Sequence, residues 1–285
     1  DAQSPSEPMI DVVIPAHEKD LAVLNRSVRG VLRHVGPVRR VVVVSAAPFA
    51  MPDARVSWAP EPSPPALPGL AEVRAACMAR GPGLAARASW IYQQLLKLGA
   101  GAYVPDLSPS YLVIDSDVIF LRPVSFDPGD VRRFPYSLAY EYHRPYHDAF
   151  ERLVGEAPPI GHSLTAHHML YDRALLDELF TELEDRHGKA WHAAYLDAGD
   201  PNEASSISEM DIYGLWVIAR HPELSQRRQL AWRDVHTVPT AFGRAQYGID
   251  YDFVAAHAWA RQRRSERALD VGARLARELQ ARLRG

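Results

Sequence analysis

The sequence is poor in the residues that staple small proteins together. It holds one cysteine, Cys77, in 285 residues. That excludes an internal disulfide framework and a zinc site built on several cysteines. Stability then has to come from burial, and a chain this long buries most of the surface its unfolded form exposes. Excess charge is also missing: 32 Lys and Arg face 35 Asp and Glu, for a net charge of -3. No basic field marks a nucleic-acid binder. Uninterrupted apolar runs of about 18 residues, the length of a membrane-spanning helix, are absent too. Asp1 to Pro8 is polar and proline-bearing, without the basic-then-apolar order of a leader. Together with the single thiol, this sets the expectation of a cytoplasmic protein. Neither an internal repeat nor a low-complexity tract is present.

What the sequence does contain is an alternation of short β-branched runs and helical patterns. Ile10 to Ile14 is a buried-strand run closed by Pro15. Asp20 then stands as an N-cap before Leu21, Val23, Leu24, Val28, Val31 and Leu32, which fall at helical spacing up to Gly36-Pro37. Val41 to Val44 is the next strand. Strand, helix, strand in a parallel sheet implies a right-handed crossover. The tract from Pro48 to Pro68 reads as a loop within the domain, since its prolines exclude regular helix. Helices are predicted over Ala71 to Met78, Leu84 to Leu98, Arg173 to His187 and Ser208 to His221. Strands are predicted over Tyr111 to Ile114, Ser137 to Tyr142, Thr165 to Tyr171 and Phe253 to Ala256. The fold class expected is α/β, a mostly parallel sheet flanked by helices.

The segment richest in chemical content is Tyr111 to Leu121, YLVIDSDVIFL. Asp115 and Asp117 stand two residues apart between apolar strands, at the carboxyl edge where open α/β sheets bind ligands. Two carboxylates in an apolar setting repel each other and are costly to desolvate. A hard cation such as Mn²⁺ or Mg²⁺, bridging to a diphosphate, offsets that cost. Two solvated aspartates in a turn are the plainer reading of the triplet alone. A second polar segment, Pro15-Ala16-His17-Glu18-Lys19-Asp20, follows the first strand where a doubly wound sheet makes its first ligand loop, or simply an ordinary turn. In Trp90 to Leu98, Ile91, Leu95 and Leu98 form an apolar stripe, and Gln93 or Gln94 and Lys97 project from another face. Lys97 there can meet a diphosphate or a sugar hydroxyl, or rest in solvent.

Taken together, the IPAHEKD opening, WIYQQLLKL and YLVIDSDVIFLRP resemble glycosyltransferases of the GT-A fold. Within them they most resemble a bacterial group of uncharacterised glycosyltransferase-like proteins with a Trp-x-x-Gln-Gln-x-x-Lys helix before the Asp-x-Asp motif. The resemblance spans roughly Ile10 to His257 and is most specific up to Pro123. It implies a single GT-A-like domain over 1–285, with a Rossmann-like nucleotide-sugar-binding half over about 9–123, an acceptor half over about 124–260 and a C-terminal helix over 261–285. It also implies a metal-dependent transferase that uses a nucleoside diphosphate sugar and a hydroxyl-bearing acceptor. Pro15, Ala16, His17 and Lys19 would hold the nucleotide, with Gln93, Gln94, Lys97, Asp115 and Ser116, and Asp117 would ligate Mn²⁺ or Mg²⁺. His257 is the further metal ligand that the resemblance suggests, with His236 as the alternative.

The acceptor half offers Thr165 to Tyr171, where adjacent His167 and His168 fall on opposite faces of a strand, so that one lines a cleft while the other packs. Glu209 and Asp211 are the candidate catalytic bases of an inverting reaction. They fit equally well as first-turn acids of a helix capped by Ser208. The arginine-rich helix at the C-terminus carries Leu275, Leu279 and Leu283 on one side. Packing on its own domain is the favoured reading, and peripheral contact with an anionic membrane the other. Three rival functions share some of these features. A haloacid-dehalogenase-type phosphatase would carry its Asp-x-Asp on the first strand, and a nucleotidyltransferase would show a glycine-rich basic loop there. A non-catalytic nucleotide-sugar or glycan binder needs only the cleft.

Overall fold

The computed structural model describes residues 9–126, 133–140 and 142–257. Its chain opens with β1 (Ile10–Pro15), α1 (Leu21–His34), the two-residue β2 (Val35–Gly36), β3 (Val38–Ser45) and β4 (Val56–Pro60). Four helices follow: α2 (Leu70–Arg80), α3 (Pro82–Ala86), α4 (Ala88–Leu98) and α5 (Ala100–Tyr103). Next come β5 (Ser110–Ile114), β6 (Val118–Phe120), β7 (Val124–Ser125) and β8 (Phe134–Tyr136). The second half holds α6 (Arg144–Val154), β9 (His168–Asp172), α7 (Arg173–His187), α8 (Trp191–Ala198) and α9 (Glu209–Arg220). It closes with β10 (Ser225–Arg227), β11 (Trp232–Asp234), α10 (Ala241–Tyr247) and β12 (Phe253–Ala255). The C-terminal helix expected over 261–285 lies outside the described residues. No helix among the described residues is long and apolar enough to cross a membrane.

The central sheet has five strands in the order β4-β3-β1-β5-β9. β1, β3, β4 and β5 run parallel, and β9 lies antiparallel on the edge. Alternation explains why these strands read as continuous apolar runs. Val13, Val42, Val44, Tyr111 and Val113 point to one face, into a core shared with α2, α4, α7 and α9. Val12, Ile14, Val41, Val43, Leu112 and Ile114 point to the other, against Leu24, Val28 and Val31 of α1. The chain winds outward from β1 through β3 to β4, then returns to the other side of β1 as β5. Strand order therefore reverses between β1 and β5, and the crevice outside their carboxyl ends is where such sheets take ligands.

A second, three-stranded sheet, in the order β11-β12-β6, grows from the far side of the turn that ends β5. β12 pairs antiparallel with β6, Ala255 opposite Val118, and parallel with β11, Ala255 opposite Asp234. α1 lies directly over β6, with Gly30 at the crossing. A Cβ there would stand 3.0 Å from the backbone nitrogen of Phe120 and 3.1 Å from its carbonyl oxygen.

Several boundaries differ from the sequence expectation. The proline tract carries β4, an edge strand whose last residue is Pro60, a position where a missing N–H is tolerated. The helix expected over Leu84 to Leu98 breaks at Arg87, which is non-helical at φ -118°, ψ 16°. Gly83 of α3 presses on the loop around Asn202, where a Cβ would meet backbone at 2.5 Å. The strand expected over Ser137 to Tyr142 forms instead at Phe134–Tyr136. Beyond it, Leu138 N–H donates to the Gln229 side chain and Ala139 N–H to the Ser163 carbonyl, so these groups are satisfied without a ladder. The strand expected from Thr165 starts only at His168, because His167 takes φ +62° in the left-handed region.

Candidate functional site

Both sheets meet at the turn Asp115-Ser116-Asp117. β5 delivers Asp115 to the carboxyl edge of the central sheet. The Val118 N–H then donates to the Asp115 carbonyl at 3.1 Å and closes a tight turn into β6. Each neighbouring strand brings one more side chain to this corner. β9 pairs with β5 so that Asp115 N–H donates to the His167 carbonyl at 3.1 Å. β12 pairs with β6, and Ala256 N–H donates to the Asp117 carbonyl at 3.0 Å, which places His257 beside Asp117. β11, alongside β12, ends on Asp234.

The side chains form two connected groups. In the first, Lys97 Nζ donates to Asp115 Oδ1 at 2.6 Å and to Glu209 Oε1 at 2.7 Å. Both Lys97 and Glu209 are buried. Burial opposes the lysine charge, but the two carboxylates outweigh it and raise the Lys97 pKa. Burial likewise pushes Asp115 up, yet Lys97 and His167 hold its carboxyl well below the usual range.

In the second group, the His257 imidazole lies between two carboxylates, Nδ1 at 3.0 Å from Asp117 Oδ2 and Nε2 at 3.1 Å from Asp234 Oδ1. Burial disfavours its charge, but hydrogen bonds to Asp117 and Asp234 push its pKa up to about 10. His167 joins the groups: its Nδ1 is 3.1 Å from Asp115 Oδ2, and its Nε2 is 3.9 Å from Asp234 Oδ1. Trp232 of β11 meets the His167 ring edge-on at 4.6 Å. Asp115, Asp117, Asp234 and Glu209 outnumber the cations Lys97 and His257, leaving negative charge in excess. Asp117 Oδ1 is buried and has no hydrogen-bond partner among the described residues, an arrangement that costs stability unless another group completes it. Ligand atoms of His167, Asp234 and His257 lie within 4.8 Å of one another. Carboxylate and imidazole donors around surplus negative charge fit a divalent cation.

Ser116 is buried within the turn. Pro15 and Ala16 are buried at the carboxyl end of β1, while His17 and Lys19 are exposed beside them, His17 Nδ1 accepting from Lys19 N–H at 3.3 Å. Gln93 is half-buried. Gln94 points inward, and its amide donates to the Ile207 carbonyl at 3.2 Å and accepts from the Tyr195 hydroxyl. Gln94 and Lys97 of α4 therefore face protein rather than solvent, against Tyr195 of α8, Ile207 and Glu209 of α9. Asp211 is fully buried in the first turn of α9 and accepts from Leu164 N–H at 3.1 Å and Thr165 Oγ1 at 2.7 Å. Burial pushes its pKa up to about 6, against those hydrogen bonds. It ties α9 to the segment leading to His167, whereas Glu209 reaches the site through Lys97. His168 packs inward, Nδ1 at 2.7 Å from the Ala166 carbonyl, and burial lowers its pKa to about 4. His236 is exposed two residues past Asp234. Asp234 was not singled out from the sequence. The only signal for it is its place two residues before His236 in a short strand-like stretch.

No curated protein matches the sequence. Among solved structures, the chain is similar to mouse xyloside xylosyltransferase 1 in its apo form, at 12% identity over 87% of this chain and 97% of that one, with a TM-score of 0.45. A model of a family of unknown function, DUF6492, matches residues 84–239. That span is more than half of the chain and includes Lys97, Asp115, Asp117, His167, Glu209 and Asp234, and on it the chain belongs to the DUF6492 family.

Proposed function

We propose that this chain is a GT-A-like glycosyltransferase that moves a sugar from a nucleoside diphosphate donor to an acceptor hydroxyl, with Mn²⁺ or Mg²⁺ bound at the Asp117, His257, Asp234 and His167 cluster. The observation that carries this reading is the position of the Asp115-Ser116-Asp117 turn. It stands at the point where strand order reverses, with negative charge in excess around it. In this reading the edge of β1, at Pro15, Ala16, His17 and Lys19, borders the nucleotide, and Asp115 takes the ribose side. The cation, when bound, neutralises charge on the departing diphosphate. Lys97 fixes Asp115 and Glu209 in place, and Glu209 is the carboxylate assigned to take the acceptor proton.

Calorimetric titration of nucleoside diphosphates, with and without Mn²⁺, tests the reading. One nucleotide is expected to bind, and to bind at least tenfold more tightly with metal. Asp117→Asn is expected to remove that metal dependence in a folded protein. Metal-independent affinity, or no nucleotide binding under either condition, would overturn the reading.

A further inference from the structure

Tyr140 turns its polar tip to the protein and its apolar ring to water. The hydroxyl donates to the Trp232 carbonyl at 2.7 Å and accepts from the Trp232 N–H at 3.0 Å, so it satisfies the outer edge of β11. The residue is nonetheless 64% exposed. Amphipathic side chains at a surface do the reverse, laying the apolar body on protein and keeping the tip wet. One face of the ring stacks on the buried Trp232 indole, 4.6 Å between centroids and 28° between planes. The indole in turn lies parallel to Phe253, at 5.8 Å and 4°. Two hydrogen bonds and a stack of rings therefore hold an aromatic surface rigidly in solvent.

We propose that Tyr140 is the stacking platform for a sugar ring of the acceptor, and so that the acceptor is a glycan. This deepens the glycosyltransferase reading and rests on it for the sugar's role as acceptor. Topology puts the ring on the acceptor side. β1, which borders the nucleotide in that reading, flanks β5 on one side, and β9 flanks it on the other. His167, just before β9, meets Trp232 edge-on at 4.6 Å, and Tyr140 stacks on that same indole. Further along the chain, His143 Nε2 lies 2.7 Å from the carbonyl of Ser205, four residues before Glu209. Tyr140 to His143 thus leads from the His167 corner to the loop that enters α9. Tyr142, between them in sequence, is 54% exposed and offers a second ring.

The chemistry of this corner favours a sugar over other acceptors. A pyranose has faces of C–H groups and a rim of hydroxyls. The C–H groups carry slight positive charge and suit the negative face of an aromatic ring. The hydroxyls need polar neighbours. Side chains alternate along β11, so Trp232 and Asp234 fall on one side of the strand, and Asp234, 45% exposed, stands with His167 next to the stack. A lipid chain or an apolar peptide segment would cover the ring, but it would also strip water from the Asp234 carboxylate and return no hydrogen bond. A ring already fixed in place loses little conformational freedom on binding.

The test uses the full chain on an array of immobilised di- to tetrasaccharides of varied linkage, with and without Mn²⁺ and a nucleoside diphosphate. Glycans that bind are then titrated in solution against the parent, Tyr140→Phe and Tyr140→Ala, and saturation-transfer NMR reads which sugar protons touch the protein. Tyr140→Phe keeps the ring and loses both hydrogen bonds, so its glycan affinity is expected to stay within about threefold of the parent. Tyr140→Ala is expected to lose about tenfold or more, together with the saturation of C–H protons on one sugar face. If Tyr140 served β11 alone, the two variants would lose affinity alike. Circular dichroism confirms folding, and Tyr140→Leu, apolar without a π face, replaces Tyr140→Ala if that variant does not fold. The proposal is overturned if no glycan binds the folded parent, if Tyr140→Ala binds as the parent does, or if Tyr140→Phe loses as much as Tyr140→Ala. A parent that binds nucleotide with Mn²⁺ but no glycan sinks the platform and leaves the transferase reading standing. Glycan binding that follows the ring in a protein that binds no nucleotide overturns the transferase reading, and with it the acceptor role.

Discussion

Lys97 is the residue whose replacement tests the electrostatics of the site most directly. Its ammonium lies 2.6 Å from Asp115 and 2.7 Å from Glu209, with 8% of its side chain exposed. Lys97→Met keeps the volume and removes the charge. Asp115 retains His167 at 3.1 Å, but the Glu209 carboxylate, 4% exposed, loses the cation that holds it. Removing one partner of a buried pair costs about 3–5 kcal/mol, because the other charge stays behind unpaired. That is a large share of the roughly 5–15 kcal/mol that holds a domain folded. At about 2–4 °C per kcal/mol for a domain of this order of size, the melting temperature should fall by roughly 6–20 °C. The second half of the prediction is rescue. In Lys97→Met/Glu209→Gln the stranded charge is gone, and the double variant should regain about 1–3 kcal/mol over Lys97→Met. Urea unfolding of the four proteins at pH 7 measures the coupling. A Lys97→Met protein within about 1 kcal/mol of the parent, or two single changes that simply add, would refute the reasoning.

Asp211 gives a pH signature of definite sign. Its folded pKa of about 6 lies above the ordinary 3.8, so the fold prefers the neutral acid, and the residue's penalty is full above pH 6 and relieved as pH falls toward 4. Asp211→Asn should therefore match or exceed the parent in stability at pH 7.5, by up to about 3 kcal/mol, and lose that advantage below pH 4; a stability difference that does not change with pH counts against this. Gly30→Val should destabilise by about 1–3 kcal/mol, since the new atoms meet Phe120 backbone at 3.0 Å and that backbone has little room to move. Because β6 leaves the Asp115–Asp117 turn, the same change should also weaken Mn²⁺ binding in calorimetry. A Gly30→Val protein as stable as the parent would show that α1 can lift off β6 without cost.

The parts of the fold that were legible in the sequence are those where one local pattern decides the structure. β1, β3 and β5 are interior strands of the sheet, so each carries a short apolar run, Val12 to Ile14, Val41 to Val44 and Tyr111 to Ile114. α7 runs from Arg173 to His187 as its pattern predicts, with Asp172 accepting from Ala174 and Leu175 N–H groups at one end and a left-handed Gly188 at the other. Where tertiary context decides, the pattern misleads. β4 is an edge strand inside a proline tract, and edges accept proline that central strands reject. α4 has the stripe expected of a half-exposed helix, but its polar residues turn inward, Gln94 to Ile207 and Lys97 to the two carboxylates. A polar stripe signals partners, and sequence spacing does not say whether those partners are water or protein.

The site divides along the same line. Asp115 and Asp117 stand two residues apart in sequence and are flanked by strands, so local pattern alone pointed to them. His257 was suggested by resemblance, and it stands where β12 brings it against β6. Asp234 had nothing to mark it. Its strand is three residues long, its neighbours are ordinary, and its side chain is nearly half exposed. It matters only because β11 lies parallel to β12, which places it across from Ala255, two residues before His257. His167 was visible as one of a pair of histidines, but the strand expected there would alternate the two across the sheet. The left-handed turn at His167 instead frees its ring to reach Asp115 and Asp234. A cluster drawn from positions 117, 167, 234 and 257 is thus a product of strand pairing and one backbone dihedral. A single-residue shift in the β11–β12 register would carry Asp234 to the other face of its sheet and break the cluster without changing the motif at all.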